Sequence, residues 1–176
     1  HDMGLIGAWF GCLYFAVPLA MMSPLAFLAR PERWLWAIHR HRATISASPN
    51  FGYELCLRHL QPAQTEGLDL SSWRYAFNGA EPVSPDTLER FAQRFAANGL
   101  RRQALAPVYG LAESSVGLTM PPPDRGPLIE HVRRDVFMRA GRAEPAPAED
   151  EAALRFVGCG SVLRGHEIRA VDSAGR

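Results

Sequence analysis

Trp73-Arg74-Tyr75-Ala76-Phe77-Asn78-Gly79-Ala80-Glu81-Pro82-Val83-Ser84-Pro85-Asp86 is the stretch that decides the fold class. Residues 73–77 read as a strand, Asn78-Gly79-Ala80 as a turn, and Ser84-Pro85-Asp86 as a helix start with proline at the first helical position. Leu88, Phe91 and Phe95 then line one face until Asn98-Gly99 stops the helix. Downstream, residues 105–109 form the next strand, 110–115 a turn and 116–120 a short apolar strand. Upstream, 43–48 is a strand, Pro49-Asn50 a turn, and 51–60 a helix with Phe51, Leu55 and His59 at four-residue spacing. Before that, Pro31 opens a helix carried by Trp34, Leu35 and Ile38 that ends in the basic residues 39–42. Strand and helix alternate, which predicts an α/β fold with a mainly parallel sheet flanked by helices on both faces. Ligands are then expected in loops beyond the carboxyl ends of the strands.

The flanking segments read differently. Residues 121–150 begin with three prolines, continue through an Arg-rich strand-like stretch and end in a Pro, Ala and acid-rich run, as an insertion or linker would. Residues 154–171 return to strand-like apolar patterning around Gly158, Gly160 and Gly165. Three units are therefore expected: 1–120, an insertion or linker at 121–153, and the start of a more β-rich segment at 154–176. Residues 3–29 carry no charge and are long enough for a membrane-spanning helix, but Gly4, Gly7, Gly11, Pro18 and Pro24 interrupt them. They read instead as two buried elements, a helix over 4–14 and an interior strand over 17–22. No signal-peptide pattern is present, and a cytoplasmic location is expected. His1-Asp2-Met3-Gly4 opens without a capping segment and the last six residues run from a strand into a turn, so the chain is expected to be an excerpt of a longer one.

Composition narrows the chemistry. The 176 residues are 47% hydrophobic and 21% charged with a formal net charge of +1, which is globular and leaves no broad basic surface for nucleic acid. All 19 basic residues are Arg, so no ammonium can serve as acid, Schiff base or phosphate clamp. Cys12, Cys56 and Cys159 are too few and too widely spaced for a disulfide framework or paired thiolate ligands, and are expected to be reduced.

Three loops carry candidate chemistry, each with an ordinary alternative. Phe77-Asn78-Gly79-Ala80-Glu81-Pro82 would let backbone approach a flat ligand through Gly79, or is simply a strand-to-helix turn. Val108-Tyr109-Gly110-Leu111-Ala112-Glu113 sets a stacking ring, a glycine and a carboxylate within a few positions, although Tyr109 could be core and Glu113 a solvated cap. His1-Asp2 suggests general-base chemistry, yet adjacent residues rarely face each other on a helix and no nucleophile elbow accompanies them. His39, His41 and His59 could be drawn as a metal cluster, but a basic helix terminus accounts for the first two. A P-loop is absent, and Gly158-Cys159-Gly160 lacks the third glycine of a dinucleotide fingerprint.

Taken together and in order, these loops resemble the adenylate-forming acyl-activating enzymes, most closely the fatty acyl-AMP ligases. His1-Asp2-Met3-Gly4-Leu5-Ile6-Gly7 looks like that family's His-Asp-Met-Gly motif. Met22-Ser23-Pro24, Arg30-Pro31-Glu32-Arg33-Trp34-Leu35 and Ser48-Pro49-Asn50-Phe51-Gly52-Tyr53-Glu54-Leu55-Cys56 are similar to the segments that follow it. Asn78-Gly79-Ala80-Glu81-Pro82 and Tyr109-Gly110-Leu111-Ala112-Glu113 resemble its two nucleotide loops, and Cys159-Gly160 with Gly165-His166-Glu167 its later strand pair. The match spans nearly the whole chain and implies the central part of an enzyme's large domain.

The resemblance implies ATP-dependent activation of a fatty carboxylate as acyl-adenylate, then transfer to the thiol of an acyl carrier protein, such as one within a polyketide or nonribosomal peptide synthase. Glu113 would hold Mg²⁺ and, with His1, count as catalytic. Tyr109 would stack on adenine, Asn78, Gly79, Ala80 and Glu81 would frame it, and Gly110, Leu111 and Ala112 would complete the site for ATP and AMP. Met3, Gly4, Ile6 and Gly7 would border the acyl tunnel. Many relatives carry a hydroxyl residue where this chain has Ala112, so phosphate contact would come from elsewhere. The insertion at 121–153 would restrict a lid domain and disfavour coenzyme A. A phosphate loop upstream, a ribose-binding Asp downstream and a lid Lys are all missing, so the 176 residues alone are expected to be inactive. A fatty acyl-CoA synthetase, or a non-catalytic nucleotide or acyl-binding module, are the alternatives.

Overall fold

The computed structural model describes residues 2–172, 174 and 175. The alternation resolves into a parallel three-stranded sheet in the order β1 (Ile45–Ser48), β2 (Tyr75–Asn78) and β3 (Leu105–Pro107). Ser48 is the register partner of Asn78, and Asn78 of Pro107, so the three strands finish level at their carboxyl ends. Three helices connect and cover them: α3 (Glu32–His41), α4 (Asn50–His59) and α5 (Pro85–Phe95). They are preceded by a π-helix, Met3–Phe10, that runs into α1 (Gly11–Phe15), and by α2 (Pro24–Ala29).

Local chemistry explains the helices. The Ser84 hydroxyl accepts from the Thr87 N–H at 3.2 Å to cap α5, Pro85 supplies the first turn, and Gly99 at φ +82° takes the left-handed position that closes the segment. In α3, Glu32 lies in the first turn and His39, Arg40 and His41 in the last, each sign favoured by the helix dipole. Trp34, Leu35, Tyr53, Trp73, Leu88, Phe91 and Phe95 form one core with Ala76 and Leu105. Alternation along β2 and β3 therefore turns Ala76 and Leu105 toward the three helices and leaves Tyr75 and Phe77, half-buried, on the other face beside exposed Ile45.

The α/β class is as the sequence predicts, and the corrections concern particular elements. Residues 17–22 form no strand: they are exposed throughout, Pro18 withholds a donor, and no strand among the described residues pairs with them. The helix before them is a π-helix followed by an α-helix, and neither segment buries a residue. On α4 the buried face is Gly52, Tyr53 and Cys56, while Phe51 is exposed, so the spacing of Phe51, Leu55 and His59 marks the wrong side.

The carboxyl-terminal part is built of antiparallel pairs. β4 (Thr119–Met120) pairs with β7 (Ser161–Val162), and β5 (Leu128–Val132) with β6 (Leu154–Gly158). The Arg-rich stretch read as strand-like is a strand only to Val132; α6 (Arg134–Ala140) follows, ended by Gly141 at φ +64°. Arg155 of β6 bonds Asp86 at 2.6 Å and Glu89 at 2.7 Å on α5, and Val157 packs on the core, so the β5–β6 pair is seated against α5.

Candidate functional site

The level strand ends send the loops after β2 and β3 out side by side. The Val108 N–H donates to the Asn78 carbonyl at 2.9 Å, which continues the pairing past β3. Ala80 and Tyr109 each follow two residues after the paired Asn78 and Pro107. The two sequence-predicted loops therefore meet at neighbouring strand ends, as expected of ligand-binding loops in a parallel sheet.

The first loop is held from behind. A Cβ on Gly79 would stand 2.7 Å from the Val108 carbonyl oxygen and 2.9 Å from Val108 Cγ2, so this glycine serves the close passage of the two strand exits. Asn78 is fully buried and its amide donates to Asn50 Oδ1 at 3.2 Å, which turns the side chain inward, toward α4. Its own Oδ1 is buried without a partner among the described residues. Ala80 is exposed at φ +67°, a backbone state rare for a residue with a Cβ. Glu81 Oε1 accepts from the Phe51 N–H at 2.6 Å, placing a carboxylate at the positive end of α4, where Pro49 offers no side-chain cap.

The second loop presents its side chains outward. Tyr109 is 52% exposed, leaving its ring available for stacking, while its backbone bonds Thr119 and Leu118. A Cβ on Gly110 would fall 1.7 Å from the Val116 carbonyl oxygen, so only glycine fits. Ser115 at φ +56° and Val116 at φ +81° are both left-handed, and for β-branched Val116 this is backbone strain. The Leu111 carbonyl accepts from the Ser114 and Val116 N–H groups at 3.1 Å each, closing the short turn Ala112–Ser114. Glu113 on that turn is exposed and makes no hydrogen bond or ion pair among the described residues.

Met3, Gly4, Ile6 and Gly7 lie on the π-helix. Met3 and Ile6 are half-buried, Gly4 and Gly7 exposed, and a Cβ on either glycine would meet nothing within 4 Å. His1 lies outside the described residues.

A family model described as AMP-binding enzyme matches residues 1–176. The chain belongs to the AMP-binding enzyme family. It is 41% identical over 173 residues to the medium-chain-fatty-acid acyl-carrier-protein ligase JamA of Moorena producens, covering 98% of this chain and 29% of that protein. The corresponding ligase TtuA of Teredinibacter turnerae is 38% identical over 176 residues, covering 100% and 27%. A fatty acyl-adenylate ligase from L. pneumophila, solved in complex with acyl adenylate and pyrophosphate, superposes with a TM-score of 0.87 at 40% identity over 92% of this chain and 28% of that one. The chain thus spans under a third of the length of these relatives.

Within this AMP-binding chain the sequence reading passed over the polar residues behind the first loop. Asn50 Oδ1 accepts from Asn78 and also from the Ser84 N–H at 3.1 Å, and Asn50 Nδ2 donates to Thr87 Oγ1 at 3.3 Å. The Thr87 hydroxyl donates to Glu54 Oε1 at 2.7 Å, and Arg58 and Arg90 reach the same carboxylate. The hydrogen bond from Thr87, followed by those from Arg90 and Arg58, holds the Glu54 carboxyl below the usual glutamate range against the opposing effect of desolvation. The Tyr53 hydroxyl donates to the Phe77 carbonyl at 2.8 Å, tying α4 to the carboxyl end of β2. The one local signal for this network is Asn50 at a Pro-Asn helix entry, where a polar side chain normally caps.

Proposed function

We propose that the chain supplies the adenine-side and metal-side loops of an ATP-dependent ligase that activates a fatty acid as its acyl-adenylate and passes the acyl group to a carrier-protein thiol. In this reading a carboxylate oxygen of the fatty acid attacks the α-phosphorus of ATP and the bond to pyrophosphate breaks. A thiolate sulfur then attacks the acyl carbon and AMP leaves. The carrying observation is the pairing of an available Tyr109 ring with a Glu113 that has no partner among the described residues, on the loop beside residues 79–83. Relatives named as fatty-acid acyl-carrier-protein ligases support the substrate and the acceptor.

Mg²⁺ fits this arrangement. Among the described residues no three acidic, His or Cys side chains gather to hold an ion by themselves, and magnesium typically takes one or two carboxylates with the rest from phosphates and water. Glu113, exposed and without a partner among the described residues, would be that carboxylate, and the ion would offset phosphate charge as the fatty acid approaches. Tyr109 would stack on the base, and the exposed Ala80 backbone would line its edge. Met3, Gly4, Ile6, Gly7 and His1 would border the acyl chain, within a unit spanning 1–120 that acts in the cytoplasm.

ATP–pyrophosphate exchange dependent on a medium-chain fatty acid is the test, run on the full-length protein that carries this chain. Exchange is expected in the wild type, to fall by roughly 100-fold in Glu113→Gln, and to be undetectable with the 176 residues alone. Full exchange by the Glu113→Gln enzyme removes the metal role, and no exchange by the wild type removes the ligase reading.

A further inference from the structure

Residues 79–83 connect β2 to α5, and no backbone hydrogen bond involves them among the described residues. Their path is set from outside. One oxygen, Asn50 Oδ1, accepts at once from Asn78 at the start of the loop and from the Ser84 N–H at its end, at 3.2 and 3.1 Å. The middle is tied to the same helical turn, because the Phe51 N–H donates to Glu81 at 2.6 Å. The other side of the Asn50 amide is itself fixed by Thr87, which is buried and bonded to Glu54.

We propose that Asn50 and Glu81 are positioning residues for nucleotide binding: the first turn of α4 clamps both ends and the centre of the 79–83 loop, and so sets where the Ala80 backbone meets the base. This rests on the ligase reading above, and it moves Glu81 from a contact with nucleotide to a contact with α4. Asn50 lies 28 residues from Asn78 and 34 from Ser84, so the clamp is a tertiary device whose partners no local pattern names. Preorganisation of this kind acts on binding geometry, where a displacement near 1 Å costs orders of magnitude.

The test uses the full-length protein and three variants, Asn50→Ala, Asn50→Asp and Glu81→Ala. Calorimetric dissociation constants for ATP are measured alongside the KM for fatty acid and amide exchange at Ser84. Asn50→Ala and Glu81→Ala are each expected to weaken ATP by roughly tenfold with fatty-acid KM within about twofold, and Asn50→Ala to speed exchange at Ser84. Asn50→Asp keeps the oxygen that accepts from both loop ends but loses the donor to Thr87 Oγ1, so its ATP affinity is expected to lie between those of Asn50→Ala and the wild type. Wild-type ATP affinity in both alanine variants, or equal losses for ATP and fatty acid, overturns the clamp. If Asn50→Ala does not fold, Glu81→Ala and the aspartate variant decide in the same way. Absence of ATP binding by the wild type overturns the ligase reading and the clamp together, and is thereby told apart from failure of the clamp alone.

Discussion

Glu54 gathers three donors on one carboxylate: Thr87, Arg58 and Arg90. Charge-assisted hydrogen bonds favour its ionised form, so its folded pKa lies below the unfolded value. A lowered carboxyl pKa contributes stability that is present above the unfolded value and is lost as pH falls through the folded one. Glu54→Gln is therefore expected to lower stability at neutral pH by about 1 kcal/mol, and the gap from wild type to close as pH falls through and below the ordinary glutamate range. Urea unfolding midpoints across that range are the measurement, and a gap that stays constant with pH refutes the account. The same residue illustrates what side-chain chemistry hides from a sequence. Tyr109 and Glu113 could be singled out because the roles proposed for them need only exposure, and exposure leaves local patterning intact. Asn50 and Glu81 act through partners 28 to 37 residues away, as Glu54 does through Thr87 and Arg90, and of these contacts local spacing marks just the i,i+4 pair of Glu54 with Arg58.

At the scale of elements, the seating of α4 on β1 depends on a missing side chain. A Cβ on Gly52 would lie 2.0 Å from Ser48 Oγ and 3.2 Å from Ser48 Cβ. Gly52→Ala gains about 1 kcal/mol of helix propensity but must displace the Ser48 hydroxyl, and overpacking costs about 1–3 kcal/mol. The single variant is expected to be destabilised and Ser48→Ala nearly neutral. The double variant should recover most of the loss, a non-additivity that a double-mutant cycle reads directly; additive effects would count against this packing. Helices and strands of this layer were legible because propensity, capping and turn residues agree with the tertiary outcome, as in Ser84-Pro85-Asp86. Their exact faces were less so. On α4 four-residue spacing selects Phe51, whereas contact with β1 selects the side bearing the glycine that permits it. Strand ends differ for a comparable reason: residues 116–120 read as one apolar run, but Val116 at φ +81°, where it passes close to Gly110, is out of strand geometry, and the strand is Thr119–Met120.

For the whole molecule, surface is the decisive quantity. A self-contained chain of 19.5 kDa exposes about 8,500 Å², whereas this one exposes 11247 Å². The excess, about 2,700 Å², is the size of a large protein–protein interface. Much of it is apolar and contiguous in sequence: Leu5, Trp9, Phe10, Leu13, Tyr14, Phe15, Val17, Met21, Leu25 and Leu28 are all exposed. The sequence correctly marks residues 3–29 as apolar and wrongly as buried, since apolarity reports what a segment would gain from burial but not whether these 176 residues contain the surface to bury it. Among the described residues no helix is long and apolar enough to cross a membrane. An apolar surface of this extent in water associates. The 176 residues produced alone are expected to form oligomers or aggregates at micromolar concentration, read by light scattering. Leu13→Glu with Phe15→Glu should reduce that association without altering the core built on Trp73 and Phe91, because neither residue of α1 is buried. A wild-type chain that remains monodisperse and monomeric would mean that residues 3–29 fold back onto the sheet face carrying Tyr75 and Phe77, and the exposed arrangement described above would be wrong.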